Sequence, residues 1–134
     1  MAGSYLNEES LKNLIRQITT GIDPQCEGDL EALEDAITSC HAYVETVVRG
    51  ETRLLLYGQD VEGEHYRELV SQYDQSRHSC HETAIISAKV LNRLAVLYDL
   101  DPVYIGDPGQ RHQVADFCLQ LDQYFFRNRR MKLS

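Results

Sequence analysis

The chain lacks the sequence features that mark several large classes of protein. Its 134 residues contain no apolar run near the roughly 18 residues that a membrane-spanning helix needs. The first ten residues, MAGSYLNEES, have neither a basic segment nor an apolar core, so they do not look like a secretory signal. We therefore expect a cytoplasmic protein.

The common motifs of nucleotide binding and catalysis are also missing. The sequence has no phosphate-binding loop, no G-x-G-x-x-G and no G-x-S-x-G. Its four cysteines, Cys26, Cys40, Cys80 and Cys118, form no C-x-x-C pair. Without a secretory signal, such cysteines are expected to be reduced thiols rather than disulfides. We therefore expect no cofactor and favour a protein that is not an enzyme.

What the chain does have is a strong helical pattern of apolar residues. One stripe with steps of three and four falls on a single helix face: Leu30, Leu33, Ile37, Cys40, Val44 and Val47. A similar stripe returns near the C-terminus, and no segment alternates like a strand. The sequence predicts an all-α fold, a compact bundle of about five helices with antiparallel neighbours, in one domain over residues 1–134.

Local signals place the first helices. A helix over Glu8–Thr20 is predicted between an N-cap at Asn7 and a stop at Gly21. The second helix starts either at Asp23-Pro24 or near Asp29, and it runs to about Arg49. Residues 51–58 fit a short helix or a strand, and we prefer a helix because a lone strand has nothing to pair with.

The second half predicts three more helices. Residues 64–101 contain neither glycine nor proline, yet an unbroken helix of that length would span about 57 Å, far more than a compact domain of this size. The run 74–79 is polar, and Ser79 and Glu82 match a capping box. We therefore predict separate helices over 61–75 and 80–99. The last helix is predicted to run from Asp107-Pro108 to about Arg130.

Charge suggests a partner. The net charge of −8 resides in residues 1–63, which hold 12 acidic and 4 basic residues, while residues 64–134 hold 9 of each. An acidic surface favours association with a basic partner, so we expect a protein-interaction module that binds another protein. One specific form is an inhibitor that occupies a basic nucleic-acid channel. The candidate contact residues are Glu27, Asp29, Glu31, Glu34 and Asp35. The apolar stripes are also wider than one neighbouring helix can cover, which favours a homodimer.

Two alternative functions are also supported by features of the sequence. A metal-dependent helical-bundle enzyme would take its ligands from His41, His78, His81 and Glu82, because imidazole and carboxylate bind transition metals. A small DNA-binding regulator would use residues 94–105 as a helix-turn-helix and the basic tail with Arg129 and Arg130. The alternative interpretation of residues 94–105 is an interhelical loop with buried aromatics, and the acidic chain as a whole makes nucleic acid an unfavourable partner.

Several segments carry a family resemblance, mainly within residues 64–134. They are HETAIISAKVLNRLAVLYDL, RHQVADFCLQL and the closing FFRNRRMK. These resemble a small bacterial or phage family of helical proteins catalogued as a domain of unknown function. The resemblance implies a bacterial or phage origin and a helical fold. It implies no activity and assigns no site residue.

Overall fold

The structure is a computed structural model. It describes residues 4–48 and 64–133, without the side chains at positions 48, 64–66, 69, 73, 76–79 and 126–133. In this part of the chain, four α-helices and one π-helical segment pack around a hydrophobic core, and no β-strand is present. The predicted all-α bundle of about five helices is confirmed. The predicted short helix at 51–58 lies outside the described residues.

Helix α1 (Glu8–Thr20) has the predicted ends. The Oδ1 atom of Asn7 accepts a hydrogen bond from the backbone N–H of Ser10 at 3.2 Å. This satisfies one of the N–H groups that a helix start leaves unpaired. At the other end, the backbone N–H of Gly21 donates to the carbonyl of Gln17 at 3.1 Å. The face that turns to the core carries Leu11, Leu14 and Ile18.

Helix α2 (Pro24–Tyr43) begins at the first of the two predicted starts, so the alternative start near Asp29 is wrong. Proline suits this position because the first N–H of a helix has no partner within the helix. The helix continues directly into a π-helical segment, Val44–Val48. The predicted stripe is confirmed, since its members are buried in the core or packed against it: Leu30, Leu33, Ile37, Cys40, Val44 and Val47.

Helix α3 (Glu64–Leu97) is one continuous helix of 34 residues, so the predicted break at residues 74–79 is wrong. A polar residue costs a helix interior only about 0.5 kcal/mol, whereas a break leaves up to four N–H and four C=O groups in need of partners. Among the α3 side chains that the structure describes, those buried in the core begin at His81. The side chains described between Arg67 and Gln75 are exposed or half-buried.

The end of α3 is closed by a left-handed residue. Asp99 has φ 58°. This conformation lets the backbone N–H of Leu100 donate to the carbonyl of Ala95 at 2.8 Å, while the N–H of Asp99 donates to that of Val96 at 3.1 Å. Both hydrogen bonds together form a Schellman motif, which satisfies carbonyls that the helix end would leave unpaired.

Helix α4 (Arg111–Leu133) starts later than predicted, so the expected start at Pro108 is wrong. Asp107 forms a turn instead of a helix cap. Its Oδ1 accepts the N–H of Gly109 at 2.9 Å, and its backbone carbonyl accepts the N–H of Gln110 at 3.0 Å. Asparagine and aspartate favour such turns because the short side chain reaches the backbone two residues on.

Helices α2 and α3 pack against each other in opposite directions. Near the start of α2, the Oδ2 atom of Asp29 lies 2.7 Å from the hydroxyl of Tyr98, at the end of α3. Near the end of α2, the ring of Tyr43 lies 5.8 Å from the ring of His81. Position numbers therefore rise along one helix as they fall along the other, which confirms the predicted antiparallel arrangement for this pair.

The N-terminal segment is tied to the loop before α4. Leu6 and Tyr104 form an isolated antiparallel β-bridge. The backbone N–H of Asn7 donates to the carbonyl of Val103 at 2.9 Å. On the other side of the segment, the Oε1 atom of Gln120 on α4 accepts the N–H of Leu6 at 3.0 Å. The chain ahead of α1 is thus held by the loop and by α4 together.

Candidate functional site

The outer face of α2 carries an unbroken group of carboxylates. Glu27, Glu31 and Glu34 follow each other at steps of four and three, so they share one face, and Asp35 lies next to it. All four side chains are exposed. None of them forms a hydrogen bond or an ion pair with another residue that the structure describes. We call these four residues the acidic face.

Asp29 is the exception among the five predicted contact residues. It is half-buried, and its Oδ2 atom accepts a hydrogen bond of 2.7 Å from Tyr98. The same hydroxyl lies 3.6 Å from the Sγ atom of Cys26. Burial first, and then the hydrogen bond to Asp29, raise the pKa of Tyr98 above its ordinary value. Asp29 therefore joins α2 to α3 rather than extending the acidic face.

The acidic face has no compensating base on its own helix. Residues 21–48 contain no lysine and no arginine. Glu27 and Glu31 are four residues apart, as are Glu31 and Asp35, and each such like-charge pair destabilises a helix by about 0.2–0.5 kcal/mol. The helix dipole favours acids only in the first turn, which accounts for Glu27 and not for the others. The helix thus carries a charge pattern that its own stability does not require.

His41 lies between two carboxylates at the end of α2. Its Nδ1 atom is 2.6 Å from Oδ1 of Asp122 on α4, and its Nε2 atom is 3.6 Å from Oε1 of Glu45 in the π-helical segment. Neither partner was predicted from the sequence. The contact with Glu45 could have been predicted from its spacing of four from His41. Asp122 is 81 positions away from His41, and only the fold brings the two side chains together.

The structure separates the predicted metal ligands whose side chains it describes. His41 is 54% exposed, whereas His81 is 6% exposed and its ring packs at a tilt against that of Tyr43. His41 and Tyr43 are two positions apart on α2, so the two side chains point to nearly opposite sides of that helix. Glu82 is exposed, and the side chain of His78 lies outside the described residues. Among the described residues, no group of three or more His, Cys, Asp or Glu side chains could hold a metal ion.

Two of the cysteines meet inside the core. Cys40 on α2 and Cys118 on α4 are both buried, and all four cysteines are free thiols. A hydrogen bond with Cys40, followed by burial, raises the pKa of the Cys118 thiol. Because the thiolate is the reactive form of cysteine, the Cys118 thiol is a poor nucleophile, and the buried pair packs as part of the apolar core.

The proposed helix-turn-helix does not form. Residues 98–110, all of which the structure describes, contain turns and the β-bridge but no helix. The alternative interpretation as an interhelical loop is confirmed, since Val103 and Tyr104 are buried there. The ring of Tyr104 packs edge-on against Phe117 at 4.9 Å. The side chains of Arg129 and Arg130 in the basic tail lie outside the described residues.

Together these observations define a small helical bundle with one acidic helix on its surface. None of the helices described here is long and apolar enough to cross a membrane. The chain belongs to the family described as "Protein of unknown function (DUF3232)", whose family model matches residues 4–131. The match thus covers most of the front half as well as the segments that carried the resemblance. No curated protein and no solved structure matches the chain.

Proposed function

We propose that this protein is a non-enzymatic interaction module that binds a basic surface of another protein through the acidic face of α2. The proposal depends on one observation: the exposed carboxylates of Glu27, Glu31, Glu34 and Asp35 lie together, without a lysine or arginine on the same helix. A helix used only for solubility gains from interspersed bases, which form stabilising pairs at spacings of three and four. Contact with a cationic partner relieves the repulsion that this helix carries when free.

Electrostatics also limits the kind of partner. A face of negative charges attracts arginine and lysine side chains and repels phosphate groups, which favours a protein partner over a nucleic acid. A basic channel that normally holds nucleic acid offers such a surface. An inhibitor that fills this channel is the specific form of the proposal.

The experiment compares two double variants that change the net charge equally. Glu27→Gln/Glu34→Gln removes two carboxylates from the acidic face, and glutamine preserves helix propensity. Glu68→Gln/Asp74→Asn removes two exposed carboxylates from the N-terminal part of α3 and is the matched control. Wild type and both variants are immobilised and exposed to lysate of the source organism, and captured proteins are identified by mass spectrometry.

We expect a basic protein that wild type and control retain and that the Glu27/Glu34 variant loses. With the purified partner, the dissociation constant is expected to rise about tenfold or more for this variant. The dissociation constant of the wild-type complex should also rise steeply with salt concentration, because exposed charges are screened beyond about 10 Å at 0.1 M. A partner that binds both double variants equally, or with an affinity that is insensitive to salt, would contradict the proposal.

A further inference from the structure

A shallow apolar groove runs between α2 and α3, beside the acidic face. It has a volume of about 260 Å³, and its lining comes from both helices: Ala32, Asp35, Ala36 and Ser39 on α2, with Ile86, Ser87, Val90 and Arg93 on α3. The α2 side consists mostly of small residues, which lets another surface approach the helix backbone closely. The α3 side supplies larger apolar groups.

Exposed apolar side chains continue along the α3 side of this groove. Ile86 is 60% exposed and Leu97 is 58% exposed, and the half-buried Val90 lies between them. Their spacing of four and seven places all three in one row on the helix. Ile86 and Leu97 lie outside the buried face of α3, so packing within the described part of the chain does not account for them, whereas Val90 also packs against the core. Exposed apolar residues that share one helix face with charged residues are typical of interaction surfaces.

The two sides of the groove carry opposite charges. Asp35 lines the α2 side and Arg93 lines the α3 side. Glu31 and Lys89 each lie four residues before one of them on the same helix, and all four side chains are exposed. The contacts between Asp29 and Tyr98 and between Tyr43 and His81 fix how α2 and α3 are aligned along the groove, and so which charged residues lie at the same height. Glu31 is within about one helical turn of the level of Arg93, and Asp35 is within about one turn of Lys89.

We propose that a second copy of this chain covers the groove, in a dimer whose two-fold axis runs along the groove. This axis places α2 of each copy against α3 of the other, so that Arg93 faces the second copy's Glu31 and Lys89 faces the second copy's Asp35. An axis across the groove would instead place α2 against α2, with carboxylates facing carboxylates. The charge pattern therefore selects both the occupant and the symmetry of the contact.

The proposed dimer engages two of the four carboxylates of the acidic face, Glu31 and Asp35, and leaves Glu27 and Glu34 for a basic partner. The groove side of the helix carries Asp35, whereas Glu27 and Glu34 are turned about a quarter to a third of a helical turn away from it. Both carboxylates thus stay accessible in the dimer. The failure of one proposal leaves the other standing, because the Glu27/Glu34 variant tests partner binding and the variants below test the dimer.

The experiment uses two charge-reversal variants and their mixture. Lys89→Glu/Arg93→Glu makes both sides of the groove acidic, and Glu31→Lys/Asp35→Lys makes both sides basic. Sedimentation velocity gives the mass of each species, and circular dichroism verifies that each variant keeps its helix content. The exposed pair in Glu68→Lys/Asp74→Lys, distant from the groove in sequence, serves as the control for a change of four charge units.

We expect wild type and control to sediment as dimers and each groove variant alone as a monomer. An equimolar mixture of the two groove variants should form a one-to-one dimer, because each acidic side then meets a basic side. Ile86→Asp should also yield a monomer, since it places a charge in the apolar row. A monomeric wild type, groove variants that remain dimeric, or a mixture that stays monomeric would each overturn the proposal.

Discussion

The side-chain amide of Asn92 holds both backbone polar groups of Tyr104. Its Oδ1 atom accepts the N–H of Tyr104 at 2.7 Å, and its Nδ2 atom donates to the carbonyl of the same residue at 3.0 Å. Tyr104 is 2% exposed, so water has little access to these groups. One residue near the C-terminal end of α3 thus fixes the loop that pairs with the N-terminal segment.

Replacing Asn92 should therefore be costly. Asn92→Ala leaves one N–H and one carbonyl in the loop without their partner, and each buried unsatisfied group costs about 1–3 kcal/mol. We expect the free energy of unfolding to fall by about 2–4 kcal/mol, measured by urea denaturation. Asn13→Ala is the matched control, because among the described residues the Asn13 side chain bonds only the exposed Arg16, at 3.3 Å. The control should change stability by less than about 0.5 kcal/mol. A similar effect of both variants would contradict the role assigned to Asn92.

The glycines of α2 and its preceding turn make a second prediction. A methyl group at Gly28 meets no atom within 4 Å, whereas one at Gly21 would collide with the Sγ atom of Cys26. Gly28→Ala should raise the free energy of unfolding by about 0.5–1 kcal/mol, because alanine loses less backbone entropy in a helix. Gly21→Ala should lower it by about 1–3 kcal/mol through overpacking. Thermal or urea unfolding of both variants measures the difference, and equal effects would show that the contact with Cys26 relaxes freely.

Local signals predicted the parts of the fold whose causes are local. The N-cap at Asn7, the stop at Gly21 and the proline start of α2 depend on interactions between residues a few positions apart. The continuous α3 was not predicted, because a capping-box sequence stabilises a helix start where one forms but does not destabilise a helix that continues through it. Whether the helix breaks there depends on the tertiary contacts that a turn would allow, and these cannot be read from a local sequence pattern.

The candidate site was predictable only in part. Glu27, Glu31, Glu34 and Asp35 could be placed on the surface because they fall opposite the apolar stripe. Asp29 could not be separated from them, since its bond to Tyr98 joins positions 69 apart. The Asn92 contact and the groove between α2 and α3 share this limit. Each depends on which helices become neighbours, and spacing along one helix carries no information on that.

The cysteines should divide into two classes of reactivity. Cys26 and Cys80 are half-buried, whereas Cys40 and Cys118 are buried. In a thiol titration with a chromogenic disulfide, we expect two groups to react in the folded protein and all four in denaturant. Cys80→Ser is the control and should remove one fast-reacting group without changing the slow ones. Rapid reaction of all four thiols in the folded state would contradict the packing of α2 on α4.

Tyr98 should make the stability of the protein fall at alkaline pH. Burial and the hydrogen bond to Asp29 raise its pKa in the folded state above the ordinary value of 10.0. Its contribution is complete below pH 10.0 and is lost as the pH rises further, because the unfolded chain then ionises the hydroxyl while the folded chain retains the proton. Burial raises the pKa of Tyr104 as well, so that residue adds to the same fall.

Tyr98→Phe separates the two contributions. At neutral pH the variant loses a hydrogen bond, and we expect a cost of about 0.5–1.5 kcal/mol. Between about pH 9 and pH 11, its free energy of unfolding should fall less steeply than that of wild type, because phenylalanine has no proton to lose. Urea unfolding at a series of pH values measures both effects. The same alkaline slope in variant and wild type would place the Tyr98 hydroxyl in water rather than against Asp29, and α2 and α3 would then lack the contact that aligns their ends.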